Sequence, residues 1–236
     1  MKNLQTYYND KKTPWGELFY KVMKAQLSEV KGKAVLDFGS GFGIMADILA
    51  LDNSVIAIDP ERELAEAWEH VNDFQQITGG IGELHNFDDA SFDVIICHNV
   101  LEYAAERIEI ISEFKRLLKV GGVLSIVKHN HAGRIMQTVV FENNAEEAVR
   151  LLDGGHPDAL FGKINYYTSD DLLTWAKGFQ LEKVMGVRTF WALQQKNEIK
   201  YEPDWQEKML RVEMKVSEID KFRDIAFFHH LILKRM

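Results

Sequence analysis

The chemistry in this chain gathers first at Asp37-Phe38-Gly39-Ser40-Gly41-Phe42-Gly43, where an acid stands directly before a loop with glycine at every second position. The glycines open backbone torsions closed to other residues and clear side chains from a ligand's approach. Amide N–H groups at the helix opening near Phe42 would face that ligand. Dinucleotide-binding turns space their glycines G-x-G-x-x-G, so the third glycine here comes one residue early. A carboxylate beside the loop repels a pyrophosphate and suits a ligand carrying an ammonium and a sulfonium. Asp59, followed by Pro60, ends the apolar run Ser54–Ile58 and lies 22 residues beyond Asp37, close to the offset at which an acid meets ribose hydroxyls. His98 follows the apolar run Phe92–Cys97, at the carboxyl end of a strand where open parallel sheets bind ligands. Arg188 in GVRTF could hold an anionic acceptor bidentately, with His98 and Asn130 lining it, or be an ion-paired strand residue. His129 with His131, and His229 with His230, lack a third ligand at suitable spacing, so no metal is expected.

These residues need a scaffold of alternating strands and helices. Thr13-Pro14 opens an amphipathic helix carrying Leu18, Val22 and Ala25. The glycine loop passes into a helix over 44–50, ERELAEAW reads as a helix, and Arg107–Leu118 repeats apolar residues at three and four before Val120-Gly121-Gly122 and the strand VLSIV. Four strands alternating with helices imply a right-handed doubly wound sheet. From His129 to about Asp170 the periodicity breaks down, which reads as a substrate lid. Beyond it come a capped helix ending at Gly178, a strand through LEKVMGVRTFWAL, a helix through PDWQEKMLRVEMKVSEIDKF and a terminal strand AFFHHLILK. The expected organisation is one domain, 1–236, with a helical cap over 1–31 and the lid at about 129–170.

The pattern D-x-G-x-G-x-G resembles motif I of class I S-adenosylmethionine (SAM) methyltransferases and matches it at every fixed position. The resemblance implies an α/β, Rossmann-like, mostly parallel seven-stranded sheet with an antiparallel C-terminal hairpin. It further implies SAM as cofactor, bound by Asp37, Gly39, Ser40, Gly41, Asp59, Pro60 and His98, with Ile81, Gly82 and Glu83 at the adenine. TPWGEL, HNVLEY, GGVLSIV, the HN before AG at 132 and 133, GVRTF and FHHLILKR look like the branch that includes the bacterial tRNA carboxymethoxyuridine carboxyl methyltransferases. Phe19 and Phe227 stand where that branch carries arginines. The branch implies methylation of a carboxylate on a modified uridine in tRNA; a small-molecule acceptor is the alternative, and a non-catalytic nucleotide-binding protein a third reading.

Composition narrows the field. A net charge of −8 argues against broad nucleic-acid binding, and Cys97 alone excludes an internal disulfide. No apolar run reaches 18 residues, and MKNLQTYYNDKK has no signal-peptide core, so a cytoplasmic protein without a membrane partner is expected. Oligomeric state is left open.

Overall fold

The computed structural model describes residues 2–159 and 162–236. Nine strands and ten helices among them are β1 (Ala34–Phe38), β2 (Ser54–Asp59), β3 (Gln75–Thr78), β4 (Phe92–His98), β5 (Leu118–His129), β6 (Asp158–Ala159), β7 (Gly162–Lys163), β8 (Phe179–Val187) and β9 (Phe228–Arg235), with α1 (Lys2–Lys11), α2 (Pro14–Gln26), α3 (Ile44–Ala50), α4 (Arg62–Glu66), α5 (Arg107–Leu117), α6 (His131–Val140), α7 (Ala145–Leu152), α8 (Ser169–Trp175), α9 (Pro203–Val216) and α10 (Asp220–Arg223). Seven strands form one sheet in the order β3-β2-β1-β4-β5-β9-β8. β1 pairs in parallel with β2 and β4, β2 with β3, and β4 with β5; the C-terminal strands are antiparallel. This is the Rossmann-like α/β sheet that the alternating pattern predicts. β6 and β7 form a separate antiparallel pair.

The chain divides into two compact units. The first comprises Met1–Ala25, Lys128–Tyr166 and Val184–His230; the second comprises Gln26–Val127, Tyr167–Lys183 and Leu231–Met236. In the second unit Leu36, Ile58, Ile95 and Ile96 are fully buried, because strands covered on both faces read as continuous apolar runs. The switch point lies between β1 and β4: the chain winds outward through β2 and β3, then returns to the other side of β1. Arg116 fastens α5 to the preceding turn by donating to the carbonyls of Leu84 and Phe87 and pairing with Glu113 and Asp89.

In the first unit Leu18, Val22 and Met23 of α2 are buried, and Gly16 N–H donates to the Thr13 hydroxyl at the helix start, as the Thr-Pro signal predicts. Trp191 is fully buried with its ring 4.8 Å from that of Trp205, so these tryptophans are core. Several elements differ from the sequence reading. β5 begins directly after α5 and runs through Gly121-Gly122; the strand expected through GVRTFWAL stops at Val187; and the long C-terminal helix breaks into α9 and α10. The second break has a cause: Arg188 takes a φ of 61°, outside any strand conformation. The segment at about 129–170 holds α6, α7, β6 and β7, with residues 160 and 161 outside those described.

Candidate functional site

The second unit carries the glycine loop. Its backbone is pinned at once to the next strand: Gly39 N–H (2.8 Å) and Ser40 N–H (3.1 Å) both donate to the Ile58 carbonyl. Gly39 has φ 75°, and a Cβ there would overlap Val100 Cγ2, so only glycine lets the loop after β1 close on the loop after β4. Gly43, at φ 70°, stands against His70 and Phe74. Packing within the protein, and not only the approach of a ligand, therefore accounts for these two glycines.

Asp37 is 3% exposed near the end of β1, and its Oδ2 is buried with no hydrogen-bond partner among the described residues. Burial, and then the charge of Asp59, push its carboxyl up to about 7, against the pull of the Ala46 N–H. Asp59, at the end of β2, accepts from Gly41 N–H (2.7 Å, Oδ2) and Glu61 N–H (2.9 Å, Oδ1). Each oxygen keeps lone-pair capacity, so the carboxylate fixes the loop and can still accept a further hydrogen bond. Burial raises its pKa, opposed by those two amides. Asp59 also accepts Gly79 N–H on its carbonyl, which ties the adjoining 3₁₀ turn Ile81–Asn86 to the same strand end. Gly82 is exposed on that turn, Ile81 is half-buried, and Glu83 packs on Gly79 and accepts from Asn86 Nδ2 at 3.0 Å. Ser40 Oγ lies 3.4 Å from Gln76 Nε2, and Pro60 is exposed. His98 Nε2 is 2.8 Å from Ser125 Oγ on the neighbouring strand, which orients the ring at the strand end. A buried acid short of a partner, a second acid held by two amides and a turn carrying half-buried Ile81 beyond them fit a ligand with an ammonium, a ribose and a flat base. SAM has these groups.

Arg188 and Asn130 belong to the first unit. Asn130 is buried, and its side-chain amide donates to the carbonyls of Asp224 (2.9 Å) and Ala226 (2.8 Å). Gly133 abuts the same Ala226 carbonyl, where a Cβ would overlap it. The HN-AG motif thus docks α6 onto residues 224–227, and both Asn130 amide hydrogens are spent on that work, not on an acceptor. Arg188 is half-buried beyond β8, with its guanidinium 5.0 Å from the Phe227 ring and 5.6 Å from Phe228. Its Nε is buried without a hydrogen-bond partner among the described residues. Burial lowers its pKa to about 10 against the charge of Glu213. Glu213, which no sequence motif flags, is 1% exposed and accepts from the amides of Thr189 (2.7 Å), Phe190 (2.8 Å) and Trp191 (2.7 Å). These three bonds hold the turn that gives Arg188 its left-handed backbone. The signal in the sequence was an acid inside an otherwise amphipathic helix, facing the core.

His129 ends β5 and His131 begins α6, so the pair does not share a strand face as a two-histidine metal site would require. Among the described residues, no three His, Cys, Asp or Glu side chains gather as metal ligands. Among the basic residues, Lys200 is 3% exposed, while Lys196 and Arg211 are exposed and Arg211 pairs with Glu207 at 2.9 Å. No helix of the described residues is long and apolar enough to cross a membrane.

Comparison with known proteins follows this geometry. Residues 36–126 match the family model described as a methyltransferase domain. A ubiquinone biosynthesis O-methyltransferase of Glaesserella parasuis is 30% identical over 179 residues, covering 68% of this chain and 73% of the relative. One from Pseudomonas paraeruginosa is 30% identical over 168 residues, covering 66% and 68%. Among solved structures, a SAM-dependent methyltransferase of Thermotoga maritima superposes with a TM-score of 0.63 at 15% identity, covering 98% of this chain and 95% of the other. These relatives are not tRNA carboxymethoxyuridine methyltransferases, so they support the resemblance at the level of the class and not of that branch.

Proposed function

Because the chain belongs to the class I SAM-dependent methyltransferases, we propose that it methylates an oxygen of an anionic small molecule, with Arg188 assigned to the acceptor. Asp37 is assigned to the ammonium and Asp59 to the ribose. Ile81, Gly82 and Glu83 are assigned to the adenine, and Gly39, Ser40, Gly41, Pro60 and His98 to the rest of the cofactor wall. The observation that carries the acceptor reading is the Arg188 guanidinium: held by a purpose-built turn, it keeps a buried N–H unspent.

Bound SAM supplies an electrophilic methyl group on a sulfonium. The chain's own task is to align an acceptor oxygen with it and to keep water away. A carboxylate is ionised at neutral pH and needs no base. His129 is a weak base: burial, then the charges of Arg188, Arg134, Lys11 and Lys128, lower its pKa to about 3. The relatives are named O-methyltransferases, which agrees with an oxygen acceptor. Methylation of a tRNA carboxylate is the second reading, favoured by Arg188 within GVRTF. Against it stand the net charge of −8 and the burial of Lys200, which keeps that cation from a phosphate backbone.

Labelled methyl transfer should be assayed in parallel on a small-molecule extract and on bulk tRNA from a strain lacking the gene. Label is expected in the small-molecule fraction. Arg188→Ala should cut transfer at least tenfold while SAM affinity stays within about twofold, as for a contact made to the acceptor alone. Label confined to tRNA would replace the first reading with the second, and full activity in the variant would remove Arg188 as the anchor. The segment at about 129–170 is proposed as the lid: saturating acceptor and S-adenosylhomocysteine should slow its amide exchange, and unchanged exchange would refute that role.

A further inference from the structure

Asn99, in the second unit, combines a strained backbone with an unsatisfied side chain. It follows β4 with a φ of 57°, in the left-handed region that a residue with a Cβ resists. Its backbone is fixed from two sides. The Asn99 N–H donates to the Val127 carbonyl on β5 at 2.8 Å, and the next residue, Val100, fills the space beside Gly39, where an added Cβ would come within 2.2 Å of Val100 Cγ2. The Val100 carbonyl then accepts from Tyr103 N–H (2.9 Å) and Ala104 N–H (3.2 Å), so the chain turns at once. These anchors account for the backbone, since a strained residue persists where its surroundings over-determine it. They do not account for the side chain. Asparagine suits left-handed backbone through side-chain bonds to the main chain nearby, yet Asn99 Oδ1 is buried with no hydrogen-bond partner among the described residues. Glycine would take the same turn and bury no oxygen.

A second oxygen at the same strand ends is in the same state. Asp37 lies opposite Ile96 in the parallel pairing of β1 with β4, and just beyond that pairing the two loops touch through Gly39 and Val100. Asp37 and Asn99 therefore border one junction, and Asp37 Oδ2 is also buried without a partner among the described residues. One orphaned acceptor cannot relieve another. A group that only donates, and carries several hydrogens, satisfies both at once. An ammonium is such a group.

We propose that Asn99 Oδ1 accepts one hydrogen of the SAM ammonium while Asp37 accepts another, which makes Asn99 a further cofactor-binding residue that selects for the amino group. This rests on the assignment of Asp37 to that ammonium. The amide of Asn99 adds an acceptor beside Asp37 without adding a second buried charge. Because Val127 and Gly39 already fix the residue, its backbone need not be ordered when the cofactor arrives.

Calorimetry on the full chain at pH 7.5 with S-adenosylhomocysteine and with its deamino analogue, in which hydrogen replaces the amino group, reads the contact without methyl transfer. The wild type should bind S-adenosylhomocysteine at least tenfold tighter than the analogue. Asn99→Gly should weaken S-adenosylhomocysteine at least fivefold and the analogue by less than about twofold, with Tm held or raised, because the orphaned oxygen and the left-handed strain leave together. Asn99→Asp keeps the acceptor oxygen and should keep the tenfold preference. No preference in the wild type would overturn the Asp37 assignment and this proposal with it. A full preference in Asn99→Gly, equal weakening of both ligands, a fall in Tm of more than about 4 °C, or a preference lost in Asn99→Asp would leave Asp37 assigned and overturn the role of Asn99 alone.

Discussion

Asp37→Asn should make the protein more stable at pH 8 and a poorer binder of SAM. The Asp37 carboxyl is held at about 7, above its unfolded value of 3.8, by burial and by Asp59. A raised carboxyl pKa means the folded state holds a proton that the unfolded chain has already lost. That favourable linkage is complete below pH 3.8 and is lost as pH rises through about 7; above this the fold carries a buried charge costing roughly 4 kcal/mol. The isosteric amide removes that cost, so the stability gain should be largest at pH 8 and small near pH 4. The same charge is what the ligand's ammonium is proposed to meet. Its loss should weaken SAM by roughly 1.5–3 kcal/mol, the scale of a charge-assisted hydrogen bond. In the wild type, SAM affinity should climb as pH rises through about 7, with a proton released on binding, and fall again near pH 8 as an amino group of that type deprotonates. Asp59→Ala should lose a similar affinity for another reason: the Gly41 and Glu61 amides lose their acceptor and the loop loosens. Thermal unfolding at pH 5 and pH 8, with calorimetry on each variant, separates the cases. An Asp37→Asn chain that is less stable at pH 8, or that binds SAM as well as the wild type, would contradict this account.

How legible the site was in the sequence depended on how locally each residue is positioned. Asp37, Gly39, Gly41 and Asp59 lie at the ends of adjacent parallel strands, so their spacing along the chain already fixes which strand ends meet. β3 was missed because Gln75–Thr78 is a short edge strand without an apolar run. The first unit was harder, since Arg188 sits on the turn after β8 while the Glu213 that holds that turn comes from α9. Asn130 shows the limit of motif reading. A residue expected to line the acceptor spends both amide hydrogens on the backbone at 224 and 226.

Glu213→Ala is expected to be the most damaging single change in the first unit. The carboxylate is 1% exposed and takes three amide hydrogens at 2.7–2.8 Å, so its removal strands three donors of one turn. It also strips Arg188 of the carboxylate whose charge opposes its burial. Stranding three buried amide donors costs about 1–3 kcal/mol for each left without a partner, so the change should cost about 3–5 kcal/mol in all, a large part of a typical folding free energy of about 5–15 kcal/mol. For a chain of this length Tm should drop by roughly 6–20 °C. Glu213→Gln keeps an acceptor oxygen and the side-chain shape while losing the charge, so it should cost less, about 1.5–3 kcal/mol. The pairing makes a sharper demand: with Arg188 already alanine, Glu213→Ala should cost at least 1 kcal/mol less than it does alone, because no uncompensated cation is left behind. Urea unfolding of the two single variants and the double variant supplies the cycle. Costs that simply add would mean that Glu213 acts on the turn alone and owes nothing to Arg188. Retained acceptor turnover in Glu213→Ala below its Tm would mean that the left-handed turn is not what presents the guanidinium.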